Sequence, residues 1–340
     1  MSLLDRFDTL LFDLDGVVYV GTEAVEHADD VINAAHAQGV RCMYVTNNAA
    51  RTADTVASHL RDLGIDAAVS DVVTSPQAAA SLLPQFVPDG SRILVIGGAG
   101  IDAVLLERGY VPVRTLDDEP AAVIQGYSPD LSWRDLAEAS FAVRAGLPWI
   151  ATNPDLTFPT ARGIAPGNGS LVEVVARTVG RRPDAVAGKP EPPLLHEAVS
   201  RSHAERPLMI GDRLDTDIEA GVRVGIPTLL VMTGVSSLEE LLAARPHERP
   251  DFIGEDLRVL LAEYPEVTWQ HDIAYCRHAW ARVTSGVLEC GADGPVTDPW
   301  DVVRAGAVAS WNAAAGSVDP GASADILRQT IAIRYELSGR

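Results

Sequence analysis

Two acids one residue apart, Asp13 and Asp15, follow the apolar run Thr9–Phe12 and are closed off by Gly16. An aspartate is ionised at neutral pH, with a reference pKa of about 3.9, so Asp13 is equipped to attack an electrophilic phosphorus without a separate base. Asp15 can then protonate the leaving alkoxide and later take a proton from water, a role worth about 10²–10⁴ in rate. A neighbouring carboxylate favours that role by disfavouring its charged form. Gly16 lets the chain turn away without a Cβ clash. The bland alternative, a turn or helix cap at a strand end, carries about even weight for the pair alone.

Three more runs carry compatible chemistry. Thr46-Asn47-Asn48 offers a hydroxyl, an amide and backbone N–H groups to phosphoryl oxygens, although Thr and Asn are also ordinary turn residues. Gly188-Lys189-Pro190 holds a lysine in a loop, where it can serve as a point charge on phosphate or simply sit on the surface. Gly211-Asp212-Arg213-Leu214-Asp215-Thr216-Asp217 gathers acids that suit a hard divalent cation, which prefers carboxylates, water and a substrate phosphate. Asp215 and Asp217 also suit the positive N-terminus of a following helix.

Charge ties the runs together. Asp13, Asp212 and Asp217 are three negative charges, and a phosphate ester adds nearly two more. Unit charges about 4 Å apart interact by about 4 kcal/mol at an effective dielectric of 20. Such a cluster needs cations to hold phosphate, and Mg²⁺ with Lys189 supplies them.

The elements that must position these residues alternate. Thr9–Phe12 and Val40–Val45 are short apolar runs suited to parallel strands buried on both faces, with helices expected over Glu23–Gln38 and Thr52–Leu63, each followed by glycine. The middle of the chain starts afresh, with strands expected at Arg92–Ile96, Ala121–Ile124 and Pro148–Ala151 and helices near 101–108 and 132–145. The first style returns with the strands Pro207–Ile210 and Thr228–Met232. The expected fold is α/β: a doubly wound parallel-sheet (Rossmannoid) core, an inserted α/β cap domain and a C-terminal accessory segment. The boundaries read as core 1–75, cap 76–185, core 186–260 and extension 261–340. Four of the six tryptophans fall in that extension, which is too aromatic for a solvated tail. Asp298-Pro299 marks a helix start that puts Val303, Ala307 and Trp311 on one face, and Ile326–Leu337 is a second helix candidate.

The 340 residues carry 27 Lys and Arg against 47 Asp and Glu, a net charge of −20 that argues against a broad nucleic-acid or anionic-membrane surface. Three scattered cysteines form no disulfide framework, and the eight histidines form no zinc pattern. No signal peptide or membrane span is read, so a cytoplasmic location is expected.

In this order, LLFDLDG, VTNN, GKP and GDRLDTDI resemble the haloacid dehalogenase superfamily of aspartate-nucleophile phosphatases, over about residues 6–258. The long insert between the second and third motifs resembles the large-capped (C2, type IIA) subgroup of p-nitrophenyl, phosphoglycolate and glycerol-3-phosphate phosphatases. The resemblance implies Asp13 as nucleophile, Asp15 as acid/base, and Lys189 bridging nucleophile and phosphate. It implies Thr46 and Asn47, with Asn48 beside them, on phosphate. Mg²⁺ would sit on Asp13, the Asp15 backbone carbonyl and Asp212, with Asp217 in support. ATNPDLTFPT (151–160) and PGNGS (166–170) resemble segments near the cap–core junction. On that footing Asp155 and Phe158 face the leaving group, with cap packing an equal alternative.

The implied function is a Mg²⁺-dependent phosphomonoesterase acting on a small phosphorylated metabolite, with glycerol 3-phosphate first. The alternatives are 2-phosphoglycolate, a sugar phosphate or pyridoxal phosphate, or a phosphomutase. The expected partners are that metabolite and a second copy in a homodimer, with no nucleic acid and no membrane. A different class arises from Gly98-Ala99-Gly100-Ile101-Asp102-Ala103, which fits a G-x-G-x-x-A dinucleotide fingerprint with Asp117 and Asp118 beyond it, and would make an NAD(P)-dependent oxidoreductase.

Overall fold

The computed structural model describes residues 1–160, 162–295, 297–314 and 316–338. It divides into two compact units, Met1–Val40 with Arg206–Arg340, and Arg41–Glu205.

In the first unit the strands Thr9–Phe12, Pro207–Gly211, Thr228–Val231 and Phe252–Gly254 pair in parallel, with Phe12 opposite Ile210 and Leu230 opposite Ile253. Thr9–Phe12, Pro207–Gly211 and Thr228–Val231 are buried at every position, which is why their sequences run apolar instead of alternating. The parallel register brings the residues after Phe12 and after Gly211 out at the same sheet edge, and Asp13 N–H donates to the Ile210 carbonyl at 2.8 Å. The expected helix from Glu23 begins only at Ala28, because Tyr19–Val20 and Glu23–Ala24 pair as a short hairpin around Gly21.

The C-terminal segment holds a sheet that its sequence did not announce. Val267–Gln270, Ile273–Cys276, Ala279–Thr284 and Val287–Ala292 form an antiparallel meander. Its turns use left-handed His271-Asp272 and Ser285-Gly286 pairs. The inward positions are small (Ala274, Ala279, Ala281), so the alternation of a half-buried strand is muted. Helix Asp301–Asn312 buries Val303 and Ala307 as expected, and helix Pro320–Ser338 starts a turn and a half earlier than read. Asp319 sets that start by accepting from Ala322 N–H. The extension is continuous with the first unit's core: Leu288, Val302 and Leu327 share one apolar cluster with Leu230, Leu241 and Ile253.

A buried ion network staples that junction. Arg304 lies on Asp301 at 2.7 Å and on Asp298 at 2.6 Å, donates from Nε to the Ile253 carbonyl at 3.0 Å, and stacks over the Tyr264 ring. Burial pushes the Asp301 carboxyl up, and Arg304 and Arg277 pull it back. Removing one partner of a buried pair strands the other charge, at a cost of about 3–5 kcal/mol. Arg304→Ala is therefore expected to lower urea-unfolding stability by that order. An unchanged midpoint would mean that the network contributes nothing to stability.

In the second unit Arg41–Thr46 pairs in parallel with Val72–Thr74. A separate parallel sheet runs in the order Ala185–Val186, Trp149–Ala151, Ala122–Gln125, Arg92–Ile96, Val111–Val113. Helices Ala99–Glu107, Trp133–Arg144 and Asn168–Val179 accompany it, and Thr157–Thr160 with Gly163–Pro166 forms a hairpin. The dinucleotide fingerprint has a packing explanation. A Cβ on Gly100 would stand 2.8 Å from the Ala49 carbonyl, so the helix needs that glycine to lie against the 49–51 loop. Asp118, where a ribose contact was conceivable, caps its own turn by accepting from Thr115 N–H and Oγ. Among the described residues no helix is long and apolar enough to cross a membrane.

Candidate active site

In the first unit the tips of the strands Thr9–Phe12 and Pro207–Gly211 bring three acids together. One carboxylate oxygen from each of Asp13, Asp212 and Asp217 lies within 4.8 Å of the others. Asp212 is fully buried and Asp217 nearly so, whereas Asp13 is half-buried. Backbone donors orient them: Val235 N–H donates to Asp212 Oδ2 at 2.6 Å, and Arg213 N–H to Asp217 Oδ2 at 3.1 Å. Gly16, at φ +90°, is required here on two counts. L-residues with side chains disfavour that conformation, and a Cβ would stand 2.6 Å from Asp212 Oδ2. The Gly16 carbonyl is held by the Thr233 hydroxyl at 2.6 Å.

Each pair of charges at this separation repels by about 3–4 kcal/mol at an effective dielectric of 20. An all-oxygen, three-carboxylate donor set fits a hard divalent cation of the Mg²⁺ type. The cluster joins the carboxylates of Asp13 and Asp212 to that of Asp217, the acid expected in support of them. Asp15 is expected to contribute its backbone carbonyl, not its carboxylate, to a metal ion. The Asp15 side chain is exposed, and its backbone lies in a bridge with Tyr19. Asp215 belongs elsewhere: both its oxygens take the Arg213 guanidinium, at 3.0 and 2.9 Å. Glu219, His247 and Glu248 form a second group of close ligand atoms, but Arg223 and Arg245 already hold the two glutamates.

In the second unit Thr46 ends the strand Arg41–Thr46, buried, with its Oγ accepting from Asn48 N–H at 3.0 Å. The hydroxyl keeps its proton for an acceptor. Lys189 is buried along its whole length, and its Nζ donates to the Val45 carbonyl at 3.3 Å. Asn48 closes a turn by accepting from Ala50 N–H.

The Asn47 side chain is engaged within the protein: Nδ2 donates to the Lys189 carbonyl at 2.9 Å and to both Asp155 oxygens at 3.1 and 3.2 Å. Its Oδ1 accepts from Lys189 N–H at 2.8 Å. The side chain is committed within the protein, which leaves the backbone of the 46–48 turn as its contribution to an anion. Asp155, expected either to face the leaving group or to pack within the cap, presents its carboxylate to Asn47. Phe158 meets Tyr127 edge-on, with ring centroids 4.7 Å apart.

Sequence reasoning missed Asn153, Asn168 and Tyr127. Asn153 donates to the Asn47 carbonyl at 2.7 Å, and Asn168 to the Asn153 carbonyl at 2.8 Å. Both asparagines sit inside the flagged segments ATNPDLTFPT and PGNGS, so the signal was present at the level of the segment. Tyr127 had none.

Residues 10–111 match the model of the haloacid dehalogenase-like hydrolases, and residues 186–260 match a second model of HAD-hydrolase-like proteins. The chain is 42% identical over 329 residues to the D-glycerol 3-phosphate phosphatase of Mycobacterium tuberculosis, covering 93% of this chain and 89% of the relative. It is 35% identical over 262 residues to the acid sugar phosphatase of Staphylococcus aureus, covering 76% and 99% respectively. A crystal structure of the M. tuberculosis glycerol phosphate phosphatase in complex with magnesium superposes with a TM-score of 0.83 at 41% identity, covering 92% of this chain and 93% of that one. Matched over nearly all of its length both in sequence and in structure, the chain belongs to the haloacid dehalogenase-like hydrolases.

Proposed function

We propose that the chain is a Mg²⁺-dependent phosphomonoesterase of small phosphometabolites, with glycerol 3-phosphate as its substrate. The observation that carries this reading is the meeting of Asp13, Asp212 and Asp217 at the tips of two adjacent parallel strands. Asp13, half-buried and anionic, attacks phosphorus and forms an aspartyl-phosphate. Asp15 lies exposed two residues on, able to protonate the departing alkoxide and then to deprotonate the water that releases phosphate. Thr46 and the backbone of the 46–48 turn take phosphoryl oxygens, and the Lys189 ammonium supplies positive charge. Asp13 and Asp212, with Asp217 beside them and the Asp15 carbonyl as the family pattern has it, would hold the metal ion. When bound, it supplies Lewis-acid stabilisation of the phosphoryl charge. The substrate choice rests on the 42% identity to the glycerol 3-phosphate enzyme, which reaches beyond residue 260, while the acid sugar phosphatase match covers 76% of the chain. A cap over about residues 76–185 and a homodimer belong to the same proposal.

Phosphate release from glycerol 3-phosphate, 2-phosphoglycolate, hexose phosphates and pyridoxal phosphate tests it. The expected result is the highest kcat/KM on glycerol 3-phosphate. A higher value on another ester would move the substrate, and release from none would overturn the activity. Asp15→Asn separates acid/base work from nucleophilic attack. Turnover of glycerol 3-phosphate is expected to fall about 10²–10⁴-fold. The loss on p-nitrophenyl phosphate should be smaller, because nitrophenolate departs without a proton. Equal losses on both esters would remove Asp15 from the acid role.

A further inference from the structure

The bonding of Asn47 is unusual for a residue at a proposed phosphate site. It grips Lys189 on both sides of that residue, accepting from its N–H at 2.8 Å and donating to its carbonyl at 2.9 Å, as a neighbouring strand would. The same Nδ2 faces the Asp155 carboxylate symmetrically. Its own carbonyl is held twice, by Asn153 Nδ2 and by the Ser75 hydroxyl, both at 2.7 Å. Asn168 then donates to the Asn153 carbonyl, and Gly169 N–H to the Asp155 carbonyl, each at 2.8 Å. Segments 46–48, 152–155, 168–169 and 188–190 are thus joined in one hydrogen-bonded network within the second unit. Networks of this kind respond as units, and only paired substitutions separate their members.

We propose that Asn47 and Asp155 are positioning residues for Lys189: the Asp155 carboxylate orients the Asn47 amide, and that amide sets the backbone from which the lysine reaches phosphate. This rests on the phosphatase reading and assigns Asp155 a task at the phosphoryl end rather than at the leaving group. A carboxylate acceptor makes the Asn47–Asp155 bond charge-assisted, stronger than a neutral amide pair, and fixes which end of the amide points where. The correct orientation is the only one that gives Lys189 N–H an acceptor and its carbonyl a donor.

Polarity reversal tests the pair. N47D sets two carboxylates against each other and turns an acceptor toward the Lys189 carbonyl. It is expected to lower kcat/KM on p-nitrophenyl phosphate by about 100-fold, as the removal of an oriented electrostatic contact does. D155N keeps an acceptor oxygen and is expected to lose less than about tenfold. In N47D/D155N the bond re-forms with its donor and acceptor exchanged. The double variant should regain at least about tenfold over N47D, a coupling that residues in contact show and independent ones do not. A double variant no better than the product of the two singles overturns the pairing.

D155L addresses the direction of the effect and remains informative if N47D does not fold. It removes the carboxylate while keeping bulk. A positioning role predicts losses on p-nitrophenyl phosphate and glycerol 3-phosphate that agree within about twofold, because both esters meet the same lysine. A loss confined to the glycerol ester would return Asp155 to the leaving group and overturn the proposal. Wild-type turnover reports on the phosphatase reading by itself: an inactive wild type overturns that reading and the positioning role with it, whereas an active wild type with additive variants overturns the positioning role alone.

Discussion

Asp13→Asn is expected to fold, to melt no lower than the wild type in metal-free buffer, and to lose at least about 10⁴-fold in turnover. The loss follows from chemistry at one atom. A carboxamide oxygen is a poor nucleophile toward phosphorus, and removing a covalent nucleophile from a hydrolase costs on the order of 10⁴–10⁶ in kcat. The preserved fold follows from the local structure. The Asp13 backbone bond to Ile210 is indifferent to the side chain, and an asparagine occupies nearly the same volume. The melting behaviour follows from charge. Removing one of three carboxylates held within 4.8 Å relieves repulsion of about 3–4 kcal/mol per pair at an effective dielectric of 20, so the metal-free variant gains stability or holds level. Turnover, thermal melting and acid-quench trapping of ³²P from labelled ester measure the three parts. Label should be found on the wild-type protein and not on the variant. A variant with near-normal turnover would remove Asp13 from the nucleophile position.

The strand tips were legible because their physics is local. A buried parallel strand must be apolar throughout, so the first polar residues after Phe12 and Ile210 stand out, and parallel pairing of those strands puts Asp13 and Asp212 at one sheet edge. The membership of the cluster was harder. Asp215 and Asp217 are both acids of one short run, and both also suit a helix N-terminus. Which of them joins Asp212 depends on the helical turn Leu214–Ile218, where the phase of the turn decides whether a carboxylate points in or out. Asn47 shows the opposite limit. Its residue type suits phosphate, and nothing in a run of Thr-Asn-Asn says that residues more than 100 positions away will take up the side chain. Long-range hydrogen bonds leave no periodicity. The C-terminal meander escaped for a third reason: alanines on its buried face pack as well as valines against the Asp301–Asn312 helix, but they do not mark a strand.

Metal removal carries the other large effect, and it has a readout independent of turnover. EDTA should abolish phosphate release and Mg²⁺ restore it. In the absence of substrate, Mg²⁺ should also raise the melting temperature, since a ligand at 100 times its dissociation constant stabilises the folded state by about 2.7 kcal/mol. The acids select which variants respond. Asp212→Asn removes a charge from the only fully buried member of the cluster, so both the thermal shift and the activity should go. Asp215→Asn is the control: its carboxylate is engaged by Arg213 and more than half exposed, so the Mg²⁺ shift and turnover should both survive. Titrating Mg²⁺ against the three proteins by differential scanning fluorimetry makes the comparison. A shift that persists in Asp212→Asn, or that vanishes in Asp215→Asn, would place the cation elsewhere. Because the repulsion among Asp13, Asp212 and Asp217 exists before any ester arrives, cation binding should precede and not require substrate. A Mg²⁺ shift seen only when phosphate is added would mean that the three carboxylates are insufficient without the anion.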